Sequence, residues 1–130
     1  MIRFGFGIAI IVLFLSSCTP MFDPGSATKI KAALSPKKDE QAILFQKGGN
    51  ATESDSYQVS IKPASSDLDS IEVGNTFTVD DDHGKAVLNP NAIDFKWITE
   101  DTLMIIYDKK LRCFIQNNNV DKVVVVYSTK

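Results

Sequence analysis

The sequence predicts a small all-β domain, an antiparallel meander folded as a sandwich or a partly closed barrel of six or seven short strands. Three observations predict this fold class. Apolar and polar residues alternate over short runs, which is the period of a half-buried strand. Gly, Pro, Asn and Asp, which favour turns, separate these runs. The connections are short, and short connections favour antiparallel neighbours.

The predicted strands fill the part of the chain that begins at Gln41. Tyr57, Val59 and Ile61 face one way and their polar neighbours face the other, so this run is the clearest single strand. In chain order, the strand-like runs are 42–45, 57–61, 71–79 (71–73 and 77–79, split by Gly74-Asn75), 93–97, 103–107, 111–115 and 123–127.

The last of these runs, Val123–Tyr127, is apolar at every position. A strand of this composition is normally covered on both faces, because an exposed one would template aggregation. We therefore expect both of its faces to be covered and the end of the chain to be built into a sheet.

Length and charge exclude several classes of protein. The chain has 130 residues, of which 44% are hydrophobic and 23% charged, with a formal net charge of −2. This length accommodates one domain and excludes an enzyme of two domains. The hydrophobic content is too high for a disordered chain. The charge is too balanced for a polybasic nucleic-acid binder, so no nucleic-acid partner is expected.

Residues 1–17 have the organisation of a secretory signal peptide. Arg3 provides a positive charge near the start, an apolar run follows from Phe4 to Leu15, and small residues close the segment. About twelve helical residues span roughly 18 Å, which is less than the roughly 30 Å of a hydrocarbon core. An export signal is therefore favoured over a membrane-spanning helix.

The end of this segment, Leu15-Ser16-Ser17-Cys18, resembles the lipobox of bacterial lipoproteins. The resemblance implies that the thiol of Cys18 accepts lipid and that acyl chains, palmitate among them, anchor the mature protein to the cell membrane. Thr19 follows the cysteine, which favours the outer membrane, facing the periplasm, if the cell is Gram-negative. The alternative is an ordinary signal peptide that ends in a chance cysteine.

Residues 18–40 are expected to form the lipidated N-terminus and a tether, and residues 41–130 the β domain. Three prolines and a charged cluster at 37–40 favour an irregular segment. Ala27–Leu34 could form a helical turn or two, which is marginal without tertiary support. The predicted organisation is thus an anchor, a spacer and one folded domain.

Lipidation of Cys18 would leave Cys113 as the only other thiol, so no intramolecular disulfide is expected. Cys113 alternates with Leu111 and Ile115 in a strand-like run, which predicts a buried structural thiol. The alternative is a nucleophile, which would need a cationic or histidine partner, such as His83, brought close by the fold.

The most acidic part of the chain is the loop Asp80-Asp81-Asp82-His83-Gly84. Calcium takes six to eight oxygen ligands, so the three carboxylates are weak candidates for a calcium site. Their spacing departs from that of an EF-hand. The turn preferences of Asp and Gly favour the alternative, a solvated hairpin turn, so no metal or other cofactor is expected.

Other chemistry-bearing residues are more simply explained by structure. His83 is the single histidine, and no serine-nucleophile motif or paired zinc ligands accompany it. The carboxylate pairs at 67/69 and 100/101 could hydrolyse a glycoside only across a cleft. No catalytic residue is therefore predicted. The aromatic residues fall mostly on alternating strand positions, which predicts a core role, although an exposed Tyr57 or Trp97 could stack on a glycan.

The runs 43–45, 49–52 and 57–61, with a later hairpin at 95–97 and 101–105, resemble those of small uncharacterised envelope domains of bacteria. That group has no assigned activity, so the resemblance implies a location but no functional residue. We therefore expect a non-enzymatic lipoprotein that binds or supports another envelope protein or a glycan. The alternative is a ligand-binding domain for calcium or glycan that uses Asp80–Asp82 or exposed aromatic residues.

Overall fold

The computed structural model describes residues 25–48 and 55–130. The predicted signal peptide, Cys18 and Thr19 lie outside these residues. The described chain forms nine strands and one short 3₁₀ turn at Pro90–Ala92. The strands are β1 (Ala27–Leu34), β2 (Glu40–Lys47), β3 (Ser56–Pro63), β4 (Phe77–Asp80), β5 (Ile93–Thr99), β6 (Thr102–Tyr107), β7 (Arg112–Gln116), β8 (Asn119–Val120) and β9 (Val123–Thr129).

The strands form two sheets, which confirms the all-β class and the sandwich. One sheet has the order β1-β2-β3-β4-β7 and the other the order β5-β6-β9-β8. Six of the seven strand pairs are antiparallel, whereas β9 runs parallel to β6. The meander expected from the sequence therefore ends after β6. The chain crosses to the other sheet to form β7 before it returns, and a crossover of this kind is what a parallel neighbour requires.

The core lies between the two sheets. Apolar side chains at alternate positions of the strands point inward and are almost completely buried. The largest of them are Leu44, Val59, Phe77 and Val79 from the five-stranded sheet and Ile93, Leu103, Ile105, Val123 and Val125 from the four-stranded sheet. Burial of this apolar surface is the main stabilising contribution to the fold.

The folded domain begins earlier than the sequence indicated. Residues Ala27–Leu34 were expected in the tether, but they form β1 and pair with the whole length of β2. Alanine and lysine dominate this segment and have low strand propensity, so the local sequence does not predict a strand. Pairing with the buried strand β2 overrides that propensity, and the tether predicted for residues 18–40 can extend only to about residue 26.

Residues 64–76, here called the covering loop, pack over the outer face of β2 and β3. The Gln41 side chain donates to Ser66 O at 2.7 Å, and Gly74 N donates to the Gln58 side chain at 2.7 Å. A Cβ atom on Gly74 would lie 2.9 Å from Gln58 Cβ, so this close approach requires glycine. Polar residues on the outer face, such as Ser60, are consequently buried.

The covering loop also explains why the strand expected at 71–73 is absent. The Glu72 side chain points toward the outer face of β3, where it accepts hydrogen bonds from Lys62 Nζ at 2.8 Å and Ser60 Oγ at 3.0 Å. Ile71 and Val73 point to solvent instead, with 70% and 65% of their surfaces exposed. These three residues thus alternate because Glu72 faces the sheet in a largely enclosed ion pair with Lys62, while its two neighbours face solvent.

The end of the chain is built into a sheet, as expected. β9 lies between β6 and β8, and its Val123 and Val125 are buried in the core. The expectation that both faces are covered was wrong. Val124 and Val126 lie on the outer face and are 46% and 36% exposed, because no loop or strand of the described chain covers the four-stranded sheet there.

The inward and outward faces of β6 offer a test of this arrangement. Ile105 is fully buried, whereas its neighbour Ile106 is half-buried on the outer face. We expect Ile105→Ala to lower the free energy of unfolding by about 2–5 kcal/mol because it opens a cavity in the core. The matched variant Ile106→Ala should lower it by about 1 kcal/mol. Urea unfolding followed by circular dichroism measures both, and equal losses would contradict the sandwich.

Candidate functional site

The acidic loop is anchored at the point where β4 ends and β7 begins. Asp80 is the last residue of β4 and lies opposite Arg112, the first residue of β7. Arg112 binds the Asp80 carboxylate with two hydrogen bonds, from Nε at 3.1 Å and from Nη2 at 2.7 Å. The Asp80 side chain is 9% exposed and that of Arg112 is 38% exposed. This two-bond geometry holds both charged groups in one orientation.

The backbone after Asp80 turns sharply. Asp82, His83 and Gly84 have φ angles of +52°, +58° and +86°, a left-handed conformation that glycine adopts freely and other residues adopt at a cost. Asp82 N donates to Asp80 Oδ1 at 2.8 Å, and Ala86 N donates to Asp81 O at 2.9 Å. These bonds stabilise the turn. It is not the hairpin turn expected from the sequence, because the chain leaves β4 in one sheet and continues to β5 in the other.

Arg112 of β7 provides the positive charge that balances Asp80. The hydrogen bond from Arg112, followed by that from Asp82 N, holds the pKa of the Asp80 carboxyl below its ordinary value despite burial. Arg112 therefore occupies the carboxylate that a calcium ion would need. In the part of the chain that the structure describes, no three His, Cys, Asp or Glu side chains are grouped as metal ligands. Of the three weak calcium candidates, Asp80, Asp81 and Asp82, the first is thus held by Arg112.

His83 lies at the exposed tip of the loop. Its Nε2 atom is 3.3 Å from Arg112 Nη1, so the ring contacts the guanidinium group. Cys113 is the next residue along β7, and adjacent strand residues point to opposite faces. The pairing of His83 with Cys113 that a thiol nucleophile would need is therefore not formed; His83 contacts Arg112 instead.

Cys113 is exposed, which corrects the expectation of a buried thiol. β7 is an edge strand, and the alternation with Leu111 and Ile115 does not place this side chain in the core. The sulfur is nevertheless partly enclosed beside Tyr107, and this enclosure raises the pKa of the thiol. A thiol that stays protonated is a weak nucleophile, so its surroundings do not activate Cys113.

Three aromatic rings join the two sheets beside Cys113. The Phe77 ring centroid lies 5.0 Å from that of Tyr107 and 5.4 Å from that of Tyr127. The Tyr127 hydroxyl donates to Asn117 O at 2.6 Å or Thr76 O at 3.2 Å. Burial raises the pKa of both tyrosine hydroxyls. These residues are packing elements with their polar ends satisfied, as the core reading of the aromatics predicted.

The remaining sequence candidates are separated in the fold. Tyr57 is buried, so its ring is not free to stack on a glycan, and Trp97 is partly buried with its indole donating to Ala33 O at 3.1 Å. The carboxylates at 67, 69, 100 and 101 lie in surface loops. There Glu100 pairs with Lys37 at 3.2 Å and Asp101 accepts from Thr99 Oγ1 at 3.1 Å.

Sequence reasoning missed Glu40. This residue begins β2 and is 6% exposed, and its Oε1 atom has no hydrogen-bond partner among the described residues. Burial, with the nearby Asp121 carboxylate, raises the pKa of its carboxyl. It lines a cavity of about 110 Å³ together with Lys37 and Lys122. No local signal could have identified it, because the run Lys37–Glu40 is typical of a solvated turn.

Comparison of the chain with protein-family models, curated proteins and solved structures finds no match in any of the three. Within residues 25–48 and 55–130, no helix has the length and apolar character needed to cross a membrane.

The Asp80–Arg112 pair gives a testable pH dependence. We expect Asp80→Asn to lower Tm at pH 7 by about 4–8 °C, because the variant removes a charged partner of Arg112. A carboxyl with a lowered pKa stabilises the fold fully above its unfolded value, near pH 4, and this contribution is lost as the pH falls through the folded value. The difference in Tm should therefore shrink below about pH 4.

The matched control for this experiment is Asp82→Asn. Asp82 lies in the same loop, but its carboxylate is 4.0 Å from the exposed Lys85 ammonium group, so its loss should change Tm by about 2 °C or less. Differential scanning calorimetry across pH measures both variants. Equal effects of the two substitutions would show that the contact with Arg112 contributes nothing specific.

The buried carboxyl of Glu40 predicts the opposite pH dependence. A group with a raised pKa favours folding while it is protonated and disfavours it as the pH rises from the unfolded to the folded value and above. We expect Glu40→Gln, which cannot ionise, to raise Tm at pH 7 by about 4 °C or more and to leave it unchanged near pH 4. A lower Tm at pH 7 would mean that the carboxylate is paired in the folded protein.

Proposed function

We propose that the protein is a lipoprotein of the bacterial cell envelope, in which lipid on Cys18 holds a non-enzymatic binding or structural domain at the membrane. The observation that carries this proposal is the order of segments along the chain. A charged start and an apolar run lead directly into Leu15-Ser16-Ser17-Cys18, and the folded domain begins nine residues after the cysteine, at Ala27.

The early start of β1 makes the spacer short. Nine residues span at most about 30 Å when fully extended. The domain would then stay within roughly its own diameter of the bilayer surface. A short spacer favours partners that are themselves at or in the membrane, such as another envelope protein. These partners would belong to the same membrane as the anchor. Thr19 favours the outer membrane if the cell is Gram-negative.

The charges of the domain support a binding role over a catalytic one. Asp80 is neutralised by Arg112 and Glu72 by Lys62, so the two most enclosed ion pairs connect neighbouring segments of the fold. The pKa of the Cys113 thiol lies above its ordinary value, which is typical of a thiol that is not activated as a nucleophile. In contrast, apolar side chains on the outer face of the four-stranded sheet are exposed, and exposed apolar surface commonly marks a contact surface.

The ligand-binding alternative has less support. Its calcium version needs the Asp80 carboxylate, which Arg112 holds with two hydrogen bonds. Its glycan version needs exposed rings, and among the aromatic residues expected on strands Phe114 alone is highly exposed, at 57%. Arg112 lies over that ring, with its guanidinium carbon 4.9 Å from the ring centroid.

The anchor is tested by labelling growing bacteria with a palmitate analogue. We expect the wild type to incorporate label and to fractionate with membranes, and Cys18→Ala to lose both properties. Cys113→Ala is the matched control, since it removes the other thiol of the chain and should retain label and location. Label on the Cys18→Ala protein would overturn the proposal, as would loss of label from Cys113→Ala alone.

A further inference from the structure

β5 is an edge strand of useful length for pairing. It spans seven residues, Ile93–Thr99, and pairs with β6 on one side, while its other side has no strand partner in the described chain. The opposite edge of the same sheet is β8, which has two residues. An unpaired strand presents a row of backbone donors and acceptors to another chain.

The free backbone groups of β5 belong to Ile93, Phe95 and Trp97. Asp108 N donates to Ala92 O at 2.9 Å, and the register pairs Asp94 with Ile106. Because hydrogen bonding alternates along an antiparallel pair, even-numbered residues of β5 bond to β6 and odd-numbered residues point their N–H and C=O groups to the free edge.

The side chains of β5 also alternate. Ile93 is buried in the core, and Phe95 and Trp97 pack against it, whereas Asp94 and Lys96 lie on the outer face. Asp94 is held by Lys31 Nζ at 3.4 Å and Lys130 Nζ at 2.8 Å. Among the described residues, Lys96 has no ion-pair partner. The outer face of this edge therefore carries the Asp94 carboxylate with its two lysine partners and, two residues along the strand, the unpaired ammonium group of Lys96.

We propose that two copies of this chain pair through β5, antiparallel and centred on Phe95. In this register Asp94 of each copy lies opposite Lys96 of the other, so one two-fold axis creates two ion pairs. Ile93 of each copy lies opposite Trp97 of the other, and the free N–H and C=O groups at 93, 95 and 97 bond to each other. The strand is thus complementary to itself in charge and in hydrogen bonding.

The geometry of the pair follows from its symmetry. The axis runs perpendicular to the sheet, so the two four-stranded sheets join into one of eight strands with their outer faces on the same side. The exposed Val124 and Val126 and the partly buried Met104 of the two copies then belong to one continuous face. The inference concerns the folded domain and does not rest on the lipid anchor, so either can fail without the other.

The test uses the full chain, extracted in mild detergent and weighed by native mass spectrometry. Asp94→Lys gives two lysines on each edge and Lys96→Asp gives two aspartates, so each variant alone opposes like charges. We expect each to weaken dimerisation by about tenfold or more. An equimolar mixture of the two variants opposes lysines to aspartates, and we expect a heterodimer to form as tightly as the wild-type dimer.

Lys29→Asp is the matched control, because Lys29 is an exposed lysine on β1, the edge strand of the other sheet. It should dimerise like the wild type. Circular dichroism checks that each variant is folded. A wild-type protein that stays monomeric at the highest concentration used, or a mixture that forms no heterodimer from folded variants, would overturn the proposal.

A carbodiimide, which couples a carboxylate to a contacting amine, tests the same contact without altering Asp94. We expect it to produce covalent dimers of the wild type. Lys96→Arg keeps the positive charge but cannot be coupled. This variant should still appear as a dimer in native mass spectrometry and should lose most of the covalent dimer. Undiminished coupling in Lys96→Arg would place the contact elsewhere and contradict the proposed register.

Discussion

The burial of Phe77 against Tyr107 and Tyr127 fixes how the two sheets of this protein meet. Phe77 belongs to β4 of the five-stranded sheet, and the two tyrosines belong to β6 and β9, the parallel pair of the other sheet. The ring contacts join strands that are distant in sequence, and the Tyr127 hydroxyl donates to a backbone carbonyl, that of Asn117 or of Thr76. β4, held in this way, ends at Asp80, which lies opposite Arg112 of β7.

Alternation predicted the fold class because the strands turn apolar side chains toward the core at every second position. The run with Tyr57, Val59 and Ile61 is correct to within two residues at either end, since these side chains are core residues. The same rule was wrong at 71–73, where Glu72 is tied down by Lys62 and the apolar neighbours face solvent. Alternation records which way side chains point and does not by itself distinguish a strand from a loop pressed onto a sheet.

β1 and the parallel pair could not be predicted for a different reason. The strand character of Ala27–Leu34 comes from its partner β2 and not from its own residues, and the direction of β9 depends on a crossover through the other sheet. Of the site, the turn chemistry of the acidic loop could be predicted, because Asp and Gly favour turns locally. Its pairing with Arg112, 32 residues away, depends on strand order, which composition and spacing do not specify.

The position of β1 also determines how the domain would respond to mechanical load. β1 is an edge strand that enters at Ala27, opposite Lys47 at the far end of β2, and a backbone bond from Ala27 N to Ser70 O ties its first residue to the covering loop. Tension applied from the N-terminal side acts on that bond, on the β1–β2 ladder and on the contacts of β1 with β5. In those contacts Trp97 Nε1 donates to Ala33 O at 3.1 Å and Lys31 pairs with Asp94 at 3.4 Å. We expect β1 to yield first under such tension, since it is the first strand and lies at the edge of its sheet, and its eight residues would then lengthen the chain that precedes the sandwich.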